Sequence, residues 1–245
     1  MVDHAGRILP FAESMRALTN SLLQDFLGGP KLLKLSWVIN FQKAGTFFFI
    51  GLLMWIYQNA EPVVWIYLAL HGSYGLCWIL KDNVFPDSGW QVRVTFGGAF
   101  MAFALVLGWY WVIPWLLVSG VSVPDYPIPE APWLAFCITL HTLGIAIMLI
   151  SDCQKYFSLK AGSNLITTGM FRYIRHPNYL GEMMIYSSYA LIVFHWLPWV
   201  ILAWVWLGIF SVNILLKEKS LSRYPEWTEY ESRTGLLLPA IKHRT

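Results

Sequence analysis

Long apolar runs alternate with short polar stretches along this chain. Five runs, at 62–80, 95–119, 133–150, 178–194 and 199–216, are apolar almost throughout, and a bilayer-crossing helix needs about 20 such residues. A sixth, at 37–57, is apolar apart from Asn40, Gln42 and Lys43 near its start. That pattern predicts a span with Lys43 snorkelling outward to the interface. Only His195-Trp196-Leu197-Pro198 and its neighbours separate the last two runs, which predicts a tight helical hairpin. Ile8, Phe11, Met15, Leu18, Leu22 and Phe26 recur at helical spacing with Glu13, Arg16, Asn20 and Asp25 between them. Residues 1–30 therefore read as an amphipathic helix in the interface or as a seventh, poorly apolar span. The expected fold is all-α, a polytopic membrane bundle of six to seven transmembrane helices forming one domain over 1–245.

Charge orients these spans. Lys31 and Lys34 precede the first, Lys81 and Arg93 flank the loop after the second, and Lys155, Lys160, Arg172 and Arg175 follow the fourth. Lys217, Lys219, Arg223, Arg233, Lys242 and Arg244 follow the sixth, whereas the loops at 58–61, 120–132 and 195–198 hold no lysine or arginine. By the positive-inside rule, six spans with both termini cytoplasmic satisfy every loop.

Composition narrows the class. The chain is 57% hydrophobic and 13% charged, against about 25% charged residues in soluble domains, so an integral membrane protein is expected. A net charge of +3, dispersed over loops, does not argue for nucleic acid. Cys77, Cys137 and Cys153 lie in or beside apolar runs with no metal-ligand spacing. They read as small core residues, and no metal site is expected.

Polar residues of unusual kind collect at one place. Ser151-Asp152 closes the fourth span, and the stretch 169–182 puts Arg172, Tyr173, Arg175, His176, Asn178, Tyr179 and Glu182 at the mouth of the fifth. A juxtamembrane anchor accounts for the arginines and Tyr173, but it requires neither the Asn178 amide nor the Glu182 carboxylate one turn deeper. Intramembrane ionisable residues mark functional sites by default. With Lys155, Lys160 and the tail at 217–230, the cluster predicts a basic, aromatic-rich pocket in the C-terminal half, 151–245, for an anionic ligand with planar rings.

The run Gly169, Tyr173, Arg175-His176-Pro177-Asn178-Tyr179, Gly181-Glu182 resembles the signature of the steroid 5-alpha-reductase C-terminal domain. Ser151-Asp152, the pair Tyr224 and Tyr230, and Leu238-Pro239 match the family's flanking landmarks. The resemblance covers about the last hundred residues. The same Arg-His-Pro core occurs in isoprenylcysteine carboxyl methyltransferases and sterol reductases, and Asn178 with Glu182 tilts the likeness to the reductases. It implies NADPH as cofactor, held by Asp152, Lys160, Arg172, Tyr173, Arg175, His176, Asn178, Tyr179, Glu182, Tyr224 and Tyr230, with Asn83 and Arg93 as further contacts. It implies hydride transfer to the C=C bond of a 3-keto-4-ene steroid or similar enone lipid that reaches the enzyme from the bilayer. By that resemblance the carbonyl-binding group is Glu61 with Tyr74, helped by Gln58, although the family's tyrosine position is Gly72 here. The alternative is an S-adenosylmethionine-dependent enzyme of the isoprenylcysteine methyltransferase kind.

Overall fold

The computed structural model describes residues 5–240, so Lys242 and Arg244 of the expected charge pattern lie outside the described residues, as do 1–4. Among the described residues the chain is mainly helical, in the order α1 (Ala5–Gln24), α2 (Leu35–Tyr57), α3 (Pro62–Val84), α4 (Phe96–Val118), α5 (Glu130–Lys160), α6 (Pro177–Val193), α7 (Trp196–Leu221) and α8 (Trp227–Arg233). Five of these, α2, α3, α4, α5 and α7, are long and apolar enough to cross a membrane. The remaining expected span, α6, has 17 residues, about 25 Å of helix, and its middle is deeply buried.

The helices differ from the apolar runs chiefly at their ends. Helix α5 continues ten residues past Ile150, through the more polar stretch 151–160, to Lys160. Helix α1 packs against α4 and the end of α7, with Glu13 paired to Lys219 at 2.5 Å. Gly98 allows the contact with α4: a Cβ there would stand 2.8 Å from the Leu23 carbonyl oxygen.

Contacts between helix ends sort the loops into two sets. At one end, Leu33-Lys34 pairs antiparallel with Arg93-Val94, Lys81 meets Asp152, and Arg175 meets Glu218. At the other, Asn59 donates to the Val118 carbonyl, and Ser122 and Tyr126 donate to the carbonyls of Val193 and Ile192. The predicted hairpin at 195–198 is present. Phe194 closes α6 in the left-handed conformation, and the His195 ring accepts from the Leu197 N–H.

Helices α5 and α6 form the closest pair. A Cβ on Gly181 would lie 2.6 Å from both the Gly144 oxygen and the Met148 nitrogen, and one on Gly144 would lie 2.8 Å from the Gly181 oxygen. Only two glycines let these backbones touch, and Asn178 and Glu182 are held on the adjoining face of α6 as a result. Two helices are irregular midway. In α4, a π-helical segment at Phe103–Leu107 is followed by a tight turn at Gly108–Trp111. In α7 a π-helical segment occupies Trp206–Phe210.

Candidate functional site

A cavity of about 140 Å³ runs inward from the end where Lys81 and Asp152 meet. At that end Lys81, Asp87, Asp152, Asn178, Tyr179 and Lys217 share the wall with Leu23, Leu35 and Trp90, and the mid-helix residues Ala102, Val106, Leu107, Val205, Ile209 and Phe210 that line the rest are apolar. The deepest charged groups on the wall are Lys43 and Glu182.

Lys43 does not snorkel. Its side chain is 3% exposed, with Nζ 3.6 Å from Glu182. It donates to the Tyr74 hydroxyl at 2.7 Å and to the Tyr186 hydroxyl, and it lies over the rings of Tyr74, Trp78 and Tyr186 at 4.5 to 4.7 Å. A desolvated ammonium persists where hydrogen bonds, a carboxylate and aromatic faces replace its water. Tyr74 in turn donates to Glu182 at 3.3 Å, so a hydrogen-bonded path runs from Lys43 through Tyr74 to Glu182. The glycine beside Tyr74 permits this: a Cβ on Gly75 would stand 2.4 Å from the Lys43 carbonyl oxygen. Tyr74 is fully buried and stands behind Lys43 and Glu182, which themselves face the cavity.

Nearer the mouth, Lys81 and Asp152 form a buried pair at 2.6 Å, and Lys217 donates to Tyr179 at 3.2 Å. Asp87 accepts from Lys155 at 3.3 Å and from the Gly89 N–H. Burial alone pushes the Asp87 carboxyl up, but Lys155 and the Gly89 N–H more than offset it, and the net shift is downward. Two hollows flank this mouth. One of about 300 Å³ is walled by Lys81, Asp87, Asp152, Lys155, Tyr156 and Lys160. The other, of about 180 Å³, is walled in part by Lys155, Arg175, Asn178, Lys217 and Tyr230.

The expected site residues divide accordingly. Asp152, Asn178, Tyr179 and Glu182 come together on the main cavity, and Lys160 reaches one flanking hollow. Asn178 and Glu182, one turn apart, share a cavity as their spacing implies. Arg175 and His176 touch the second hollow, yet their polar atoms are engaged in a clasp. Arg175 donates to both Glu218 oxygens at 2.9 and 3.2 Å and to the carbonyls of Thr234 and Glu231. His176 bonds Glu218 at 2.7 Å; its pKa is lowered, with burial outweighing Glu218. Backbone bonds from Arg175 and His176 to Gly235 and Leu236 complete a joint among α6, α7 and the tail. Tyr230 donates to the Phe171 carbonyl at 2.7 Å.

Other expected residues stand apart. Arg172 and Tyr173 are exposed and stack on each other, and Tyr224 is bonded by Arg223. Asn83 is exposed and donates to the Ile79 carbonyl, and Arg93 is an exposed residue of the short sheet. Gln58 and Glu61 sit in the loop at the opposite end: Gln58 donates to the Trp55 carbonyl, and Glu61 precedes the first turn of α3. Thirteen residues of helix, about 20 Å, separate Glu61 from Tyr74, so the structure does not bring these expected partners together. His71 is a core residue stacked on Tyr189 at 4.3 Å. Among the described residues no group of three or more His, Cys, Asp or Glu side chains is placed to hold a metal.

Sequence reasoning missed Lys43, Asp87 and Tyr186 as members of this site, whereas Lys217 belongs to the tail expected to wall the pocket. The signal for Lys43 was present: it is the one lysine set inside the first long apolar run.

Comparison with known proteins gives the following. Residues 83–234 match a family described as a protein of unknown function, DUF1295. An uncharacterized protein of Schizosaccharomyces pombe is 37% identical over 93 residues, 36% of this chain and 27% of that protein. A second from the same yeast is 35% identical over 68 residues, 26% of this chain and 25% of that protein. Protein-S-isoprenylcysteine O-methyltransferase of Saccharomyces cerevisiae is 30% identical over 106 residues, 42% of this chain and 43% of that protein. The matched stretches thus span between a quarter and under half of these relatives' lengths. Neither the family nor these relatives carries the steroid reductase name that the motif resemblance suggested.

Proposed function

The chain belongs to the DUF1295 family, and we propose that it is a membrane enzyme that brings a nucleotide-type cofactor against an apolar substrate held between its helices. The observation that carries this reading is the two-ended cavity, polar at the loop end and apolar within, with Lys43 and Glu182 where the two parts meet. In this proposal the polar mouth faces the cytoplasm, as the lysine and arginine distribution favours.

Methyl transfer is the first reading. One of the relatives described above is named as a methyltransferase. The main cavity is also balanced in charge: Lys43, Lys81 and Lys217 against Asp87, Asp152 and Glu182. Balanced walls suit a ligand of mixed charge such as S-adenosylmethionine better than a polyanion. When bound, that cofactor supplies an electrophilic methyl group. Asp87, Asp152, Asn178 and Lys217 are the residues that would hold it. Lys43 would hold an anionic oxygen or sulfur of the substrate by charge-assisted hydrogen bonding, and the apolar walls would keep water from it.

Hydride transfer from NADPH is the second reading, supported by a different observation. The flanking hollows carry an excess of lysine, which suits phosphates, and the path Lys43–Tyr74–Glu182 suits delivery of a proton to a carbonyl oxygen. NADPH supplies the hydride. Lys43 would polarise the carbonyl oxygen and give it a proton, and a solvent proton taken up at Glu182, whose side chain is 21% exposed, would return through Tyr74 to Lys43.

Equilibrium binding of S-adenosylmethionine and of NADPH to purified protein in detergent separates the two. Binding of the first alone, weakened by Asn178→Ala, supports methyl transfer, and binding of NADPH alone supports reduction. Binding of neither refutes a nucleotide-cofactor enzyme.

A further inference from the structure

The two π-helical segments meet the same cavity. Val106 and Leu107 belong to the segment of α4 at Phe103–Leu107, Ile209 and Phe210 to that of α7 at Trp206–Phe210, and all four are on the cavity's apolar wall. Isolated π turns are rare, cluster at functional positions, and leave a helix locally easier to repack. Two facing one cavity are a specific coincidence.

The seam between these segments is fastened from outside. Trp204 of α7 is 59% exposed on the bundle's outer face, and its indole N–H donates to the Leu105 carbonyl of α4 at 3.2 Å. The next residue on each helix, Val205 and Val106, lines the cavity. One tryptophan therefore bridges the outer edge of a wall whose inner edge is the apolar end of the site.

We propose that the α4–α7 seam is a lateral portal from the bilayer to the apolar end of the cavity, latched by the Trp204–Leu105 hydrogen bond. Its ligand is a bilayer amphiphile with a slender apolar body and a single polar group, because the wall beyond the seam is apolar up to the ionic contact of Lys43 and Glu182. The identity of that amphiphile as substrate rests on the enzyme reading above, whereas the portal itself does not.

The test uses the whole protein in phosphatidylcholine vesicles containing a diazirine-bearing stearic acid as the apolar probe. After illumination, mass spectrometry measures label on the cavity residues Val106, Ile209 and Phe210. Trp204→Phe keeps the ring and loses the donor. Removal of one hydrogen bond raises an open population by roughly three- to tenfold, so label on the cavity residues should rise by about that factor. Label on the exposed Leu207 should stay constant. Leu105→Cys and Trp204→Cys, joined by a bifunctional methanethiosulfonate in a protein lacking its three native cysteines, should suppress the label until a reductant is added. Unchanged cavity label in Trp204→Phe, or undiminished label in the cross-linked protein, overturns the portal. Failure of both cofactors to bind, with label behaving as expected, overturns the enzyme reading and leaves the portal standing.

Discussion

Replacing Lys43 by methionine isolates the energetic centre of the site. The substitution preserves an unbranched side chain among Tyr74, Trp78 and Tyr186 and removes only the ammonium. Glu182 is then left without the cation 3.6 Å away. Breaking a buried ion pair from one side costs about 3–5 kcal/mol. The lower end applies here, since the Glu182 side chain is 21% exposed into the cavity and Tyr74 still donates to it. Methionine sulfur against three aromatic rings recovers part of the lost cation–π attraction. A cost of about 3 kcal/mol corresponds to a fall of roughly 6–12 °C in Tm for a chain of this size. Adding Glu182→Gln removes the stranded charge, so the double variant should be more stable than the sum of the two single changes by about 1 kcal/mol or more. Thermal unfolding in detergent of the wild type, both single variants and the double variant completes the cycle. Additivity within about 0.5 kcal/mol, or a Lys43→Met Tm within about 2 °C of wild type, would show that Lys43 and Glu182 are not energetically coupled.

Gly181→Ala places a methyl group 2.6 Å from backbone atoms of α5. It should cost at least about 1–3 kcal/mol, read as a lower Tm. Arg175→Lys loses the fork that spans Glu218 and the Thr234 carbonyl; limited proteolysis should cut the segment after α8 several times faster, and an unchanged digestion pattern would contradict the clasp. Because burial lowers the His176 pKa below 6.5, the unfolded chain takes up this proton first as the pH falls. The site's contribution is complete above pH 6.5 and is lost as the pH drops through the lowered value. His176→Gln should accordingly flatten the loss of stability on acidification, and an unchanged slope would exclude the imidazole as its source. Gln58→Ala and Glu61→Ala, in the loop opposite the mouth, should leave the affinity for either cofactor within experimental error. A tenfold loss in either would place these residues in the site after all.

The helices were legible because apolar runs of spanning length have few alternatives to a membrane helix. The glycine contact of α5 and α6 was not, since nothing local to Gly144 or Gly181 says which backbone will lie against it. Lys43 was misread for a related reason. An isolated lysine near a span terminus snorkels by default. What retains it is a cage built by Tyr74, 31 positions on, and Tyr186, 143 positions on. Arg175 and His176 were recognised as exceptional, but their partner Glu218 lies more than forty residues later, so the charges read as addressed to a ligand. Asn178 and Glu182 were read into one shared site because helical spacing alone puts them on one face.

The clasp has a consequence for what the Arg-His-Pro signature can report. If its arginine and histidine fasten the final segment to the end of α7, selection on them acts through the shape of the C-terminal half, whatever reaction that half serves. Proteins of different chemistry can then carry the same three letters for one mechanical reason. Shared spelling at 175–177 marks common carpentry, while the variation that distinguishes one reaction from another is to be sought on the cavity wall, at positions 43, 178 and 182 and at residue 74 behind it.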